Sequence, residues 1–231
     1  MPTVDLVTYC YPSDIRCLYA GWDAFRDSHK YPFHEVILIR QRSRGLDVGV
    51  LDPSVRILES EDYPDIFAEF GIDADDPIAT AVSVPTNRYY WKYHCMNQLI
   101  GLKESNADYI AFTDCDNLLE GEVAGASWID RGLHILQTEP TTFMVCPSHG
   151  APGGDERTKV ISQCMFLCER QRFKDLDYNV PPPDGVALGE FHFEFEGRLW
   201  RYAQKYNVQR TILGKPPVLI HLAWSVSGAC K

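Results

Sequence analysis

Apolar positions along the chain fall into two kinds of run, short β-branched or aromatic stretches and longer ones with helical recurrence, and the two kinds alternate. Val4 to Cys10 predicts a first strand. Ile15, Leu18, Trp22 and Phe25 then recur on one face of a helix from Asp14 to Ser28, with Ser13 or Asp14 as its cap. His34 to Ile39 and Val55 to Leu58 predict two more strands. Thr86 to Glu104 predicts a long helix whose stripe is Trp91, Cys95, Leu99 and Leu102. Tyr109 to Thr113 is wholly uncharged, as a central parallel strand covered on both faces should be. Beyond it the pattern predicts a helix over Ser127 to Gln137, strands over Phe143 to Cys146 and Val160 to Cys168, a helix carrying Phe195, Leu199, Tyr202 and Tyr206, and a last strand from Pro217 to Trp224. Strand, helix, strand in this order implies right-handed crossovers and an α/β fold. Pro147 to Asp155 and Pro181 to Gly185 are too rich in Pro and Gly for regular structure and read as loops.

A chain of 231 residues with 45% hydrophobic content can bury a large core, which predicts a single domain with two sub-lobes. Asp and Glu outnumber Lys and Arg 32 to 22, a balance that disfavours a broad nucleic-acid footprint without excluding a local basic groove. Much of the acidity lies between Asp52 and Asp76, read as a solvated face around a short helix. The eight cysteines sit mostly in apolar stretches and contain no C-x-x-C pair, so packing explains them better than zinc. Met1 to Asp5 has no signal-peptide pattern and no apolar run approaches membrane-spanning length, so a cytoplasmic location is expected.

The candidate chemistry starts where Tyr109 to Thr113 ends. Asp114 and Asp116 follow at the strand's carboxyl end, one residue apart, where their side chains can converge on one hard cation such as Mg²⁺ or Mn²⁺. An Asx turn would use the same residues. Arg88 and Lys92 fall within the apolar arc of the preceding helix, so each needs an anion: a structural carboxylate for either, or a diphosphate for both. Glu194 and Arg198 lie four apart at a helix start, either as an ordinary ion pair or as a carboxylate held ready for an acceptor hydroxyl. His221 is the only histidine in the last strand, which suits a core residue as well as a ligand.

Together these parts resemble the GT-A glycosyltransferases: a D-x-D closing a central strand after a nucleotide-binding first half, then the acidic helix stretch Phe191-His-Phe-Glu-Phe-Glu-Gly-Arg-Leu-Trp200, then a strand with an isolated His. The helix stretch is similar to that of GT2-like and polypeptide GalNAc transferases. The resemblance covers roughly Val4 to Trp224 and implies a GT-A, Rossmann-like fold. Residues 1–117 would form the nucleotide-sugar half and 118–231 the acceptor half. It implies Asp114, Asp116 and His221 as metal ligands. Thr8, Tyr9, Arg40, Arg88 and Lys92 would join the two aspartates in contacting the UDP- or GDP-sugar donor. Glu194 or Glu190 would be the base, with His192 beside it and Arg198 orienting Glu194. The chain departs from the pattern in three places. Phe191 stands where the first acidic residue is usual, His192 where Asp or Asn is, and Arg40-Gln41 where a uracil site has Asp or Asn.

A nucleoside diphosphate leaves readily only when its developing charge is neutralised, which a divalent cation and Lys or Arg accomplish. The expected reaction is metal-dependent transfer of a sugar to an acceptor hydroxyl on a glycan, small molecule or macromolecule. Three other readings compete. A haloacid-dehalogenase-type phosphatase expects its D-x-D early in the chain. A nucleotidyltransferase expects a Gly-rich phosphate loop, absent from Val7 to Arg16. A non-catalytic nucleotide-sugar-binding protein would show donor binding without turnover.

Overall fold

The computed structural model describes residues 2–12, 14–42, 51–73, 75–76, 88–121, 127–148, 154–161, 164–185, 195–214 and 217–221. The first half runs β1 (Val4–Cys10), α1 (Ile15–Ser28), β2 (Val36–Arg40), β3 (Val55–Glu59), α2 (Ile66–Glu69), α3 (Arg88–Glu104) and β4 (Tyr109–Asp114). The second half runs β5 (Asn117–Glu120), α4 (Trp128–Thr138), β6 (Thr142–Cys146), β7 (Glu156–Thr158), β8 (Met165–Glu169), α5 (Arg170–Lys174), α6 (Phe195–Tyr206), β9 (Gln209–Ile212) and β10 (Val218–His221).

Eight strands form one sheet in the order β3-β2-β1-β4-β8-β6-β9-β7. β1 to β4 are parallel, β8 and β7 run against their neighbours, and β6 and β9 are parallel to each other. The expected α/β architecture, a mixed and mostly parallel sheet flanked by helices, is therefore what the chain adopts. Period-2 alternation divides the core in two. Val7, Tyr9, Ile110 and Phe112 face α3 and α6, while Leu6, Cys10 and Ala111 face α1 and α4. α4 starts on a full capping box, Ser127 Oγ accepting from Asp130 N–H while the Asp130 carboxylate accepts from Ser127 N–H.

α3 crosses the sheet at unusually close range. A Cβ on Gly101 would stand 2.7 Å from both the Phe112 ring and Val7 Cγ1, so glycine lets the helix lie directly over β1 and β4. Asn97 and Gln98 are as fully buried on this helix as Leu99 and Ile100, although the sequence pattern marks only the apolar stripe.

Several boundaries differ from the sequence expectation. The strand expected over Val160 to Cys168 begins only at Met165, where pairing with Thr113 of β4 starts. β5, β7 and β9 have no counterpart in the sequence expectation, because each is three or four residues long and none is an apolar run. Asp14 occupies the N-cap of α1 without a side-chain capping bond. Cys10, Cys95, Cys115, Cys146, Cys164 and Cys168 are free thiols, all buried but Cys164, whereas Cys17 is disulfide-bonded. Among the described residues no helix is long and apolar enough to cross a membrane.

Candidate active site

The carboxyl ends of β1 and β4 lie side by side, with Tyr9 directly opposite Asp114. Both side chains project to the α3 face. From α3, His94 brings Nε2 to 3.7 Å from Asp114 Oδ1, packs edge-on against the Tyr9 ring at 4.8 Å and stacks on Tyr11 at 6.1 Å. The buried Tyr9 phenol donates to Asp114 and accepts from Gln98 Nε2 at 3.4 Å. The main chain of Asp114 is fixed from β8's side, its N–H donating to Cys164 C=O at 3.0 Å. The Asn117 side-chain amide donates to the same carbonyl at 2.5 Å. The D-x-D is thus held at both of its flanks.

Electrostatics make this an unfavourable place for an isolated carboxylate. Burial pushes the Asp114 carboxyl well above the ordinary carboxylate range; the Tyr9 hydrogen bond opposes the rise, and the charges of Asp116 and Glu196 reinforce it. Burial first, and then the Asp114 charge, also raise the Tyr9 phenol. Asp114 Oδ1 is buried without a hydrogen bond. An oxygen in that state, beside two further carboxylates, fits a cation, which would relieve the repulsion and fill the open coordination. Among the described residues, no three His, Cys, Asp or Glu side chains already form a cluster fit to hold a metal ion.

Glu196, in the first turn of α6, is the carboxylate that sequence reasoning misses in favour of its neighbours. Its charge acts on both Asp114, at the end of β4, and Cys146, at the end of β6. Phe195 beside it is clamped by Phe166 and Tyr178, which sets the start of the helix. The signal is present in the second glutamate of Phe-Glu-Phe-Glu.

Thr8 is fully buried, on the α1 face opposite Tyr9 and Asp114. Arg40, at the end of β2, donates through Nε and Nη2 to Glu59 Oε1 at 2.9 and 2.8 Å and through Nη1 to the Tyr19 hydroxyl at 2.9 Å, tying β2 to β3 and α1. Lys92 is half-buried on α3, its ammonium pKa lowered by that burial. Arg88 opens α3, and its side chain lies outside the described residues. The backbone of His221 pairs with Asn117, one residue beyond Asp116, in the antiparallel β5–β10 ribbon, while its side chain also lies outside the described residues. Glu190, His192 and Glu194 lie outside them altogether. Arg198 is buried, donates to Tyr178 C=O at 2.9 Å and pairs with Asp76 at 2.8 Å.

No protein-family model matches the chain, and no curated protein matches it. Among solved structures it is similar to the crystal structure of S. aureus TarS 1-349, at 13% identity and a TM-score of 0.50. The match covers 96% of this chain and 61% of that one, so the chain spans less than two thirds of the TarS fragment's length. At that identity the likeness establishes the fold alone, a mixed, mostly parallel sheet flanked by helices that is consistent with a GT-A, Rossmann-like arrangement.

Proposed function

We propose that the chain is a metal-dependent glycosyltransferase that moves a sugar from a nucleoside-diphosphate donor, a UDP- or GDP-sugar, to an acceptor hydroxyl. The observation that carries this reading is the buried, hydrogen-bond-free Asp114 Oδ1 at the carboxyl end of a central strand, crowded by Asp116 and Glu196. Open α/β sheets bind ligands at that edge. The shared fold with TarS, a glycosyltransferase, supports the same class of reaction.

Asp114 and Asp116 would hold Mn²⁺ or Mg²⁺, with His221 as a third ligand given its register beside Asn117. The ion's chemistry is to neutralise the diphosphate as it leaves. Lys92, whose ammonium is half-desolvated, would supply further positive charge to the diphosphate, with Arg88 one turn earlier on the same helix. The new bond forms between the acceptor oxygen and the sugar's anomeric carbon while the anomeric carbon–diphosphate oxygen bond breaks. In an inverting reaction the hydroxyl proton passes to a carboxylate. Glu194 or Glu190 would take it, and Glu196 joins them as the candidate whose position is described. Residues 1–117 would serve the donor and 118–231 the acceptor, within one domain.

Calorimetry of UDP and GDP binding with Mn²⁺ and then with EDTA tests the reading. Affinity should collapse on chelation and be lost in Asp116→Asn, with the fold intact by circular dichroism. Undiminished nucleotide affinity in EDTA would refute the metal bridge.

A further inference from the structure

His94 and Gly101 lie two turns apart on one face of α3, the face turned to the sheet. Gly101 sits directly over Phe112 and Val7, so close that a Cβ would meet both at 2.7 Å, and that contact fixes the height of α3 above β1 and β4. Two turns earlier the helix therefore holds His94 over the carboxyl ends of those strands, where Tyr9 and Asp114 are register partners. The imidazole has little freedom there. It is 4% exposed, edge-on to the Tyr9 ring at 4.8 Å and stacked on the Tyr11 ring at 6.1 Å.

The separation that results is 3.7 Å from His94 Nε2 to Asp114 Oδ1. A hydrogen bond from a ring nitrogen to a carboxylate oxygen closes to about 2.7–3.2 Å, and Asp114 Oδ1 has none. Two atoms bound to one divalent ion at about 2.1 Å each stand farther apart, roughly 3.0 Å when they meet at a right angle and roughly 4.2 Å when they face each other across it. The observed separation is too long for the first arrangement and falls inside the range of the second. The Asp114 side chain is 15% exposed, so the pair borders solvent rather than lying beneath the core.

We infer that His94 is a nitrogen ligand of the divalent cation at Asp114 and that it makes this site select Mn²⁺ over Mg²⁺. The inference rests on the metal-bridge reading of the D-x-D and deepens it, since carboxylates alone accept either ion. Mg²⁺ keeps to oxygen ligands and dehydrates reluctantly, whereas the neutral imidazole ring is a ligand for transition-metal ions. His94 would offer Nε2 to the ion. Asp116 and the donor's phosphate oxygens would complete the shell, with His221 as the ligand from β10.

The test titrates the whole chain with Mn²⁺ and with Mg²⁺, each alone and with UDP or GDP present. By calorimetry the wild type should bind Mn²⁺ at least about tenfold more tightly than Mg²⁺. His94→Gln should lose about tenfold or more in Mn²⁺ affinity while its Mg²⁺ affinity stays within about twofold. Electron spin-echo spectroscopy of bound Mn²⁺ reads the ligand directly. A coordinated-nitrogen signal should persist in His221→Ala, which removes the other candidate imidazole, and vanish in the double variant His94→Gln, His221→Ala. Bound Mn²⁺ without that signal in His221→Ala overturns the inference, leaving His94 and Asp114 a buried ion pair and the metal bridge standing. An equal loss of Mn²⁺ and Mg²⁺ affinity in His94→Gln overturns it as well. No binding of Mn²⁺, with or without nucleotide, removes the metal bridge and the inference together. A nitrogen signal that His94→Gln abolishes, in a protein with no affinity for either nucleotide, upholds the ligand and removes the donor reading.

Discussion

Asp114 is ionisable, mostly buried and short of a hydrogen bond on Oδ1, a combination that folding alone does not favour. Tyr9 offsets part of the cost by donating to the carboxylate, so removing that donor has a predictable sign. Tyr9→Phe keeps the ring against His94 but lets the Asp114 carboxyl rise further. Mn²⁺ affinity, which needs the carboxylate, should then begin to fail at a higher pH than in the wild type, with affinity at alkaline pH little changed. Manganese titrations over a pH series would show it, and coincident profiles would leave Tyr9 a packing residue only. The D-x-D is legible because two carboxylates after an uncharged run are conspicuous in sequence. Its surroundings are not, since His94 and Gln98 come from a helix whose approach to the strand is a tertiary fact. The partners of Arg40 on α1 and β3 are likewise legible only in three dimensions, since nothing in the sequence pairs that strand-end charge with Tyr19 or Glu59.

At the scale of elements, apolar periodicity locates α1, α3, α4 and β1 to β4 nearly to their ends, because each presents a long apolar face. It is blind to β9, whose Gln-Arg-Thr-Ile sequence looks exposed although Arg210 and Thr211 are buried. Two predictions belong here. Gly101→Ala would ordinarily favour a helix by about 1 kcal/mol. Here the added methyl meets Phe112 and Val7 at 2.7 Å, and overpacking of that kind costs about 1–3 kcal/mol. The urea midpoint should therefore fall, and donor affinity with it as α3 lifts His94 off Asp114. A raised midpoint would show that α3 has room to move. The second concerns the end of α1, where His29 is 2% exposed between the rings of Phe25 and Phe33 with neither ring nitrogen partnered. Burial lowers its pKa to about 4, below the ordinary 6.5. Above pH 6.5 neither state carries the proton, and this group leaves stability flat. Between about 6.5 and 4 only the unfolded chain binds it, so stability falls with acidification by roughly 3 kcal/mol in all. His29→Leu should remove that slope from urea midpoints measured between pH 7 and 4, and an unchanged slope would assign it to other groups.

At the scale of the molecule, the two halves meet along β4, with β1, β2 and β3 on one side and β8, β6 and β9 on the other. A net charge of −10 gives the surface little general attraction for anionic donors, so under the proposed function affinity for a diphosphate would have to be local, supplied by a cation and by α3. That separates specific donor binding from non-specific charge effects. Scanning UDP- and GDP-sugars by melting temperature, each with and without Mn²⁺, should give a shift only for the correct base and only with the metal. A ligand at a hundred times its dissociation constant stabilises the folded state by about 2.7 kcal/mol, or roughly 5–10 °C for a chain of this length. Turnover then distinguishes an enzyme from a binding protein on the same fold. The donor that gives the shift should be hydrolysed slowly by the wild type even without an acceptor, and not by Asp114→Asn. A donor that binds with full metal dependence and is never consumed, with water or with any hydroxyl acceptor offered, would leave the chain a nucleotide-sugar-binding protein and remove Glu190, Glu194 and Glu196 from consideration as bases.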